Sequence, residues 1–157
     1  MQLSTATVSM LTGKSTKTIY RWVDDGQMKA ATQDEGGWTG GKIGGKLLFS
    51  LSDIAPFMTI PVTTELENAL NAAEKGMAEG FNEVGLIFFE NKVYDIAFVW
   101  FNMAAKKGHL DAMDWLSTCY IEGFGTEADL ARGIEWLGKA AAGGHSIAAA
   151  KIKALNQ

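Results

Sequence analysis

The stretch from Gly13 to Met28 reads Gly-Lys-Ser-Thr-Lys-Thr-Ile-Tyr-Arg-Trp-Val-Asp-Asp-Gly-Gln-Met and predicts a short amphipathic helix. Ser15 can begin this helix, because its hydroxyl can accept a hydrogen bond from a backbone N–H group two or three residues further on. Gly26 supplies the left-handed residue that ends it. The face predicted to be buried carries Ile19, Trp22 and Val23. The opposite face is basic and hydrogen-bonding, and it carries Thr16, Lys17, Tyr20 and Arg21.

A helix with one apolar and one basic face is suited to lie in the major groove of DNA, with its apolar side against the rest of a small domain. The alternative is that Lys17 and Arg21, four residues apart, form an ordinary solvated surface, because charge alone is weak evidence. Both interpretations place Trp22 in the core.

The flanking residues predict the rest of a small winged unit. Ser4 or Thr5 can cap an earlier short helix, and Thr12-Gly13 is the turn between the two helices, which together make a helix-turn-helix. Residues 28–31 and 46–50 predict two strands that form a β-hairpin wing around a glycine-rich loop.

These residues resemble the winged helix-turn-helix of the MerR and excisionase superfamily. The resemblance rests on Lys-Ser-Thr-Lys-Thr-Ile-Tyr-Arg-Trp-Val at 14–23, Leu-Leu-Phe-Ser at 47–50 and Ser-Asp-Ile at 52–54. It implies that the second helix enters the major groove of double-stranded DNA and that the wing touches the flanking backbone or minor groove. The residues it places against bases or phosphates are Ser15, Thr16, Lys17 and Tyr20. The residues it places against phosphate are Thr18 and Arg21 on the helix, and Lys42 or Lys46 on the wing.

Two features depart from this family pattern. The wing loop is unusually long, and Asp24-Asp25 occupies a helix end where basic or neutral residues suit DNA better. Two carboxylates at a helix C-terminus also oppose the helix dipole.

The only two prolines, Pro56 and Pro61, mark a boundary between a domain over residues 1–60 and a second domain over residues 61–157. In the second domain Ala72-Ala73-Glu74-Lys75-Gly76 recurs 32 residues later as Ala104-Ala105-Lys106-Lys107-Gly108, and 36 residues after that as Ala140-Ala141-Ala142-Gly143-Gly144. Paired alanines let helices approach closely, and the glycine ends a helix. The pattern predicts antiparallel helix pairs near 64–75, 80–90, 93–107, 111–122, 129–142 and 146–155, the last of which would close the stack.

This half resembles the Sel-one-like repeats, which are relatives of the tetratricopeptide repeat. The matching positions are Leu116, Tyr120, Gly123-Phe124-Gly125, Trp136, Ala140-Ala141 and Gly144-His145. The resemblance implies a protein–protein interaction scaffold with no catalytic residues of its own.

Charge distribution separates the two halves. Residues 1–60 carry six basic and five acidic side chains, whereas residues 61–157 carry eight basic and thirteen acidic ones. Phosphate contacts are therefore expected in the first half, because the acidic half repels DNA. A single cysteine, no recognisable signal peptide and no long apolar run predict a soluble, cytoplasmic protein without a membrane segment.

No residue pattern predicts a catalytic site, a nucleotide-binding loop or a cofactor. His109 and His145 lie one repeat apart, so they are either equivalent turn residues or a metal-binding pair; the turn interpretation is favoured and no metal site is predicted. Cys119 aligns with Ile87, a predicted core position, which favours a buried and inert thiol over a nucleophile.

Trp115 aligns with the polar residues Glu83 and Lys151, which predicts a surface position and a role in partner binding. The alternative is burial against the linker or the first domain.

The sequence therefore predicts a mainly α protein, a winged helix-turn-helix followed by an α-α helical-repeat solenoid. The expected function is that of a small sequence-specific DNA-binding protein, either a transcriptional regulator or an excisionase-like factor and not an enzyme. Its repeats would form a homodimer or bind a second protein. The alternative is a protein-interaction adaptor whose helix-turn-helix does not bind DNA.

Overall fold

The computed structural model describes residues 1–32 and 46–155, and the chain divides into two units, Met1–Val62 and Thr63–Gln157. Helices dominate the described residues of both units.

The N-terminal unit combines short helices with a three-stranded antiparallel sheet. Its elements are β1 Gln2–Ser4, α1 Thr5–Thr12, α2 Thr16–Asp24, β2 Ala31–Thr32, β3 Leu47–Ser50, α3 Leu51–Ile54 and a 3-10 helix Ala55–Phe57. Strand β3 lies between β1 and β2. Leu3 pairs with Phe49, and Ala31 pairs with Leu48. Leu3 and Phe49 are both fully buried, so this sheet forms part of the core of the unit.

The sheet differs from the sequence prediction in two ways. The prediction omitted β1, because three residues show too little alternation to indicate a strand, and their partners lie more than forty residues away. The predicted strand over residues 28–31 is wrong in its bounds, since β2 is Ala31–Thr32. Met28 is buried, but its N–H group bonds to the carbonyl oxygen of Trp22 at 3.0 Å and so belongs to the end of α2.

Helix α2 begins and ends at the residues that the sequence indicated. The Ser15 hydroxyl accepts a hydrogen bond from the Thr18 N–H group at 3.2 Å, and Gly26 adopts a φ of +70° just after the helix. Ile19 is fully buried. Trp22 packs on Phe57 with 4.8 Å between ring centroids. The burial of Ile19 and the contact between Trp22 and Phe57 fix which face of α2 is turned toward the core.

The C-terminal unit is a row of antiparallel helix pairs. Its helices are α4 Thr64–Glu74, α5 Ala78–Glu90, α6 Tyr94–Lys106, α7 Leu110–Glu122, α8 Leu130–Ala142 and α9 Ser146–Leu155. The six predicted helices are confirmed, with every end within two residues of the predicted position.

Small residues set the spacing of the helices, and large ones fill the core between them. A side chain at Gly80 would overlap the backbone nitrogen of Ala73 and approach the Cβ of Ala72 to 2.7 Å, so α4 and α5 are in contact through their backbones. The large side chains of Trp100, Phe88, Phe101 and Leu116 are fully buried. The repeated alanines and aromatics are therefore packing residues of the stack.

The last described helix, α9, packs on α8. Its buried side carries Ala148, which packs with Leu137 and Ala140. Ile147 and Leu155 are exposed on α9.

Candidate binding surfaces

The outer face of α2 is open to solvent. Thr16, Lys17 and Arg21 are exposed, and Thr18 and Tyr20 are half-buried at the edge of the same face. A shallow cavity of about 350 Å³ lies along it, lined by Lys17, Thr18, Tyr20, Arg21 and Asp24. The structure thus brings together four of the side chains that the sequence assigned to DNA.

The remaining candidates of that set differ in position. The Ser15 hydroxyl caps α2 and lies 3.0 Å from the Thr18 hydroxyl, so its first role is structural. Lys46 is exposed just before β3. Lys42 and the predicted wing loop lie outside the described residues.

Asp24 gives this face a mixed electrostatic character. Its carboxylate lines the same cavity as Lys17 and Arg21, and the exposed Asp25 follows it. Among the described residues, no acidic side chain forms an ion pair with Lys17 or Arg21. Both cations are exposed to solvent, whereas the two carboxylates repel phosphate at the C-terminal end of the helix.

The histidines of the repeat unit occupy equivalent joints between helix pairs. His109 caps α7: its Nδ1 atom accepts a hydrogen bond from the Ala112 N–H group at 3.2 Å, which leaves Nε2 to donate to Glu79 at 2.8 Å. His145 caps α9 in the same way, accepting from the Ala148 N–H group at 3.1 Å and donating to Asp111 at 2.7 Å. Both are turn residues, as the favoured interpretation predicted. Over the ranges that the structure describes, no three His, Cys, Asp or Glu side chains lie together as a metal-binding group.

Trp115 is not the exposed residue that the sequence predicted. It is half-buried inside the repeat unit, 5.0 Å from the Phe89 ring and stacked on the Phe101 ring at 5.8 Å with 8° between the planes. The expectation was wrong because neighbouring helices supply aromatic rings at this level of the stack. Its polar counterparts in other repeats did not reveal these rings. A role for Trp115 in partner binding stays a prediction.

Cys119 is fully buried, as predicted. Burial raises the pKa of its thiol from 9.0 to about 12, because the charged thiolate loses its hydration there. The thiol is therefore neutral at physiological pH.

Comparison with known families supports the prediction of repeats in the second half of the chain. Residues 82–109 and 110–145 match the Sel1 repeat, so the predicted Sel-one-like repeats are confirmed. Each matched segment ends at one of the two capping histidines. No finding supports the resemblance of the first sixty residues to the MerR and excisionase superfamily.

A solved protein has a similar fold over about two thirds of this chain. The crystal structure of a Sel1 repeat protein from Oxalobacter formigenes aligns with 28% identity and a TM-score of 0.54, over 66% of this chain and 32% of the other. The chain thus spans about a third of the length of that protein. No curated protein sequence matches the chain. Of the helices in the described ranges, none is both long and apolar enough to cross a lipid bilayer.

Proposed function

We propose that this chain is a small DNA-binding regulator: the N-terminal unit acts as a winged helix-turn-helix, and the Sel1 repeats bind a protein partner. The observation that carries the DNA-binding part is the open face of α2. There Thr16, Lys17 and Arg21 are exposed, while Ile19 and Trp22 hold the opposite face against the unit.

The geometry of α2 supports insertion into a DNA groove. A nine-residue helix is short enough to lie along the major groove, and its exposed side offers two hydroxyl groups, one phenol and two cations. Lysine and arginine supply the counterion-releasing contacts to phosphate on which non-specific affinity depends. Lys46 adds a third cation at the strand that would lead out of the wing.

The protein-binding part is supported by the Sel1 repeats, since such repeats typically mediate binding to protein partners. One helix on one half-site makes few contacts, so useful DNA affinity requires a second copy or a partner that adds contacts.

The alternative function is that of a protein-interaction adaptor in which the N-terminal unit does not bind DNA. Asp24 and Asp25 favour it, because they place negative charge beside the cations of α2. The net charge of −5 on residues 61–157 favours it as well.

The salt dependence of binding to random-sequence duplex DNA distinguishes the two functions. For a DNA-binding chain, the logarithm of the affinity falls with the logarithm of the salt concentration. Each phosphate contact makes the slope of this line steeper by about 0.9. The double variant Lys17→Ala/Arg21→Ala is expected to flatten that slope by about 2. Fluorescence anisotropy of a labelled duplex measures both values.

A matched control is Lys75→Ala/Lys106→Ala, which removes the same charge from exposed positions of the repeat unit. It should leave the slope unchanged. Absence of DNA binding at low salt, or an equal loss in both double variants, would favour the adaptor.

A further inference from the structure

The helix pairs of the repeat unit are joined by one contact that recurs in register. We call this contact a joint. It joins a histidine that caps one helix to a carboxylate on the second residue of the equivalent helix one repeat earlier. The chain contains His109 with Glu79 and His145 with Asp111. Glu79 and Asp111 are 32 residues apart, and His109 and His145 are 36 residues apart. These are the offsets that relate the repeats.

In the same register, each end of the stack has one position that is equivalent to one member of a joint. The position equivalent to the histidines in the first pair is Met77, which precedes α5, and the position equivalent to the carboxylates in the last pair is Ile147 on α9. Both are large apolar side chains exposed to solvent, by 52% for Met77 and 58% for Ile147. Inside the stack the joint pairs two polar groups, and each end presents an apolar group.

The first and last helix pairs carry opposite net charges. Residues 64–90, which form α4 and α5, contain six acidic side chains and one lysine. Residues 130–155, which form α8 and α9, contain four basic side chains and one acidic one. A second copy docked end to end would bring opposite net charges together, which favours association and fixes its direction.

From this register we infer that the Met77 end of one chain docks on the Ile147 end of a second copy and continues the repeat stack between chains. This inference rests on the proposed protein-binding role of the repeats and names the partner as the same protein. The contact would extend the interface already present between successive helix pairs, with Met77 against Ile147 in place of histidine against carboxylate. Because the two surfaces differ, the interface is head-to-tail and does not close on itself as a two-fold dimer does.

Two single variants of the full chain test this arrangement by sedimentation velocity without DNA. The unmodified chain is expected to form species that grow beyond a dimer as its concentration rises. Met77→Glu and Ile147→Glu each disable one end, so each variant alone is expected to be monomeric. An equimolar mixture is expected to give one-to-one dimers and nothing larger, because each variant keeps the end that the other has lost.

Two further variants make the result specific. Val99→Glu changes a 39%-exposed apolar side chain on α6 away from both ends and should leave the association unchanged. The double variant Met77→His/Ile147→Asp should still associate, because each contact between two chains then carries the histidine–carboxylate pair of a joint.

An unmodified chain that stays monomeric overturns the inference, as does a dimer that persists in either single Glu variant. These outcomes do not depend on DNA binding. A monomeric chain that binds duplex DNA would contradict only the self-association. A chain that associates without binding DNA would contradict only the regulator.

Discussion

The two units use their polar and charged side chains in different ways. In the repeat unit, His109, His145 and Lys151 are each held by a carboxylate of another helix at 2.7–2.8 Å. On α2, Lys17 and Arg21 extend into solvent, and no described residue forms an ion pair with either. The repeat unit uses these side chains to connect its own helices, whereas α2 presents Lys17 and Arg21 to solvent.

This difference predicts opposite responses to mutation. Substitutions inside the repeat stack should change stability, because the affected groups contact other helices. Substitutions on the open face of α2 should change binding and leave stability within about 0.5 kcal/mol, as is usual for exposed positions without partners.

The largest effect is expected at Gly80. Alanine there would overlap the backbone of Ala73, so α4 and α5 must separate, and the free energy of unfolding should fall by about 1–3 kcal/mol. Gly138 on α8 is a matched control, because no atom lies within 4 Å of an added Cβ. Gly138→Ala should raise stability by about 0.5–1 kcal/mol through helix propensity. Urea unfolding measures both, and equal effects at the two sites would contradict the close packing of α4 and α5.

A smaller effect is expected at the joints. His109→Ala and His145→Ala each remove a helix cap and a link to an exposed carboxylate, which together contribute about 1–2 kcal/mol. Asparagine at either position keeps a capping group and should restore most of the loss, whereas Glu79→Gln tests the link alone. Thermal unfolding of these variants measures the difference. If alanine and asparagine were equally destabilising, the histidines would not act as caps.

The smallest effect at neutral pH is expected from Cys119. Below pH 9 the thiol is neutral in both the folded and the unfolded chain, so it makes no pH-dependent contribution to stability. Between pH 9 and about 12 the unfolded thiol ionises while the buried one keeps its proton, so the free energy of unfolding falls as pH rises. Near pH 8 a thiol reagent should modify Cys119 only in denaturant. Rapid modification of the native chain would show that the α7 core opens readily.

The sequence predicted the repeat unit well because the signal is repeated. Each helix has equivalents in the other repeats, so alanine pairs, glycines and aromatics indicate its bounds several times over, and the Sel1 match agrees. What it missed depends on contacts between distant residues. The aromatic rings around Trp115 come from α5 and α6, and their arrangement follows from helix packing that local spacing does not encode.

The N-terminal unit has no second copy against which its pattern can be compared. Local rules still located α2, because Ser15 and Gly26 act within a few residues of the helix ends. They missed β1, whose pairing with β3 is long-range. They also did not indicate that Asp24 lines the same cavity as Lys17 and Arg21, since this depends on the three-dimensional course of the surface.

The most direct test of the central claim, that α2 is an open DNA-binding face, is an amide chemical-shift map of the full chain during titration with duplex DNA at low salt. We expect the largest shifts on residues 15–21 and smaller ones near Lys46, and we expect the Lys17→Ala/Arg21→Ala variant to lose them. Shifts confined to the repeat unit, or no shifts at all, would contradict it.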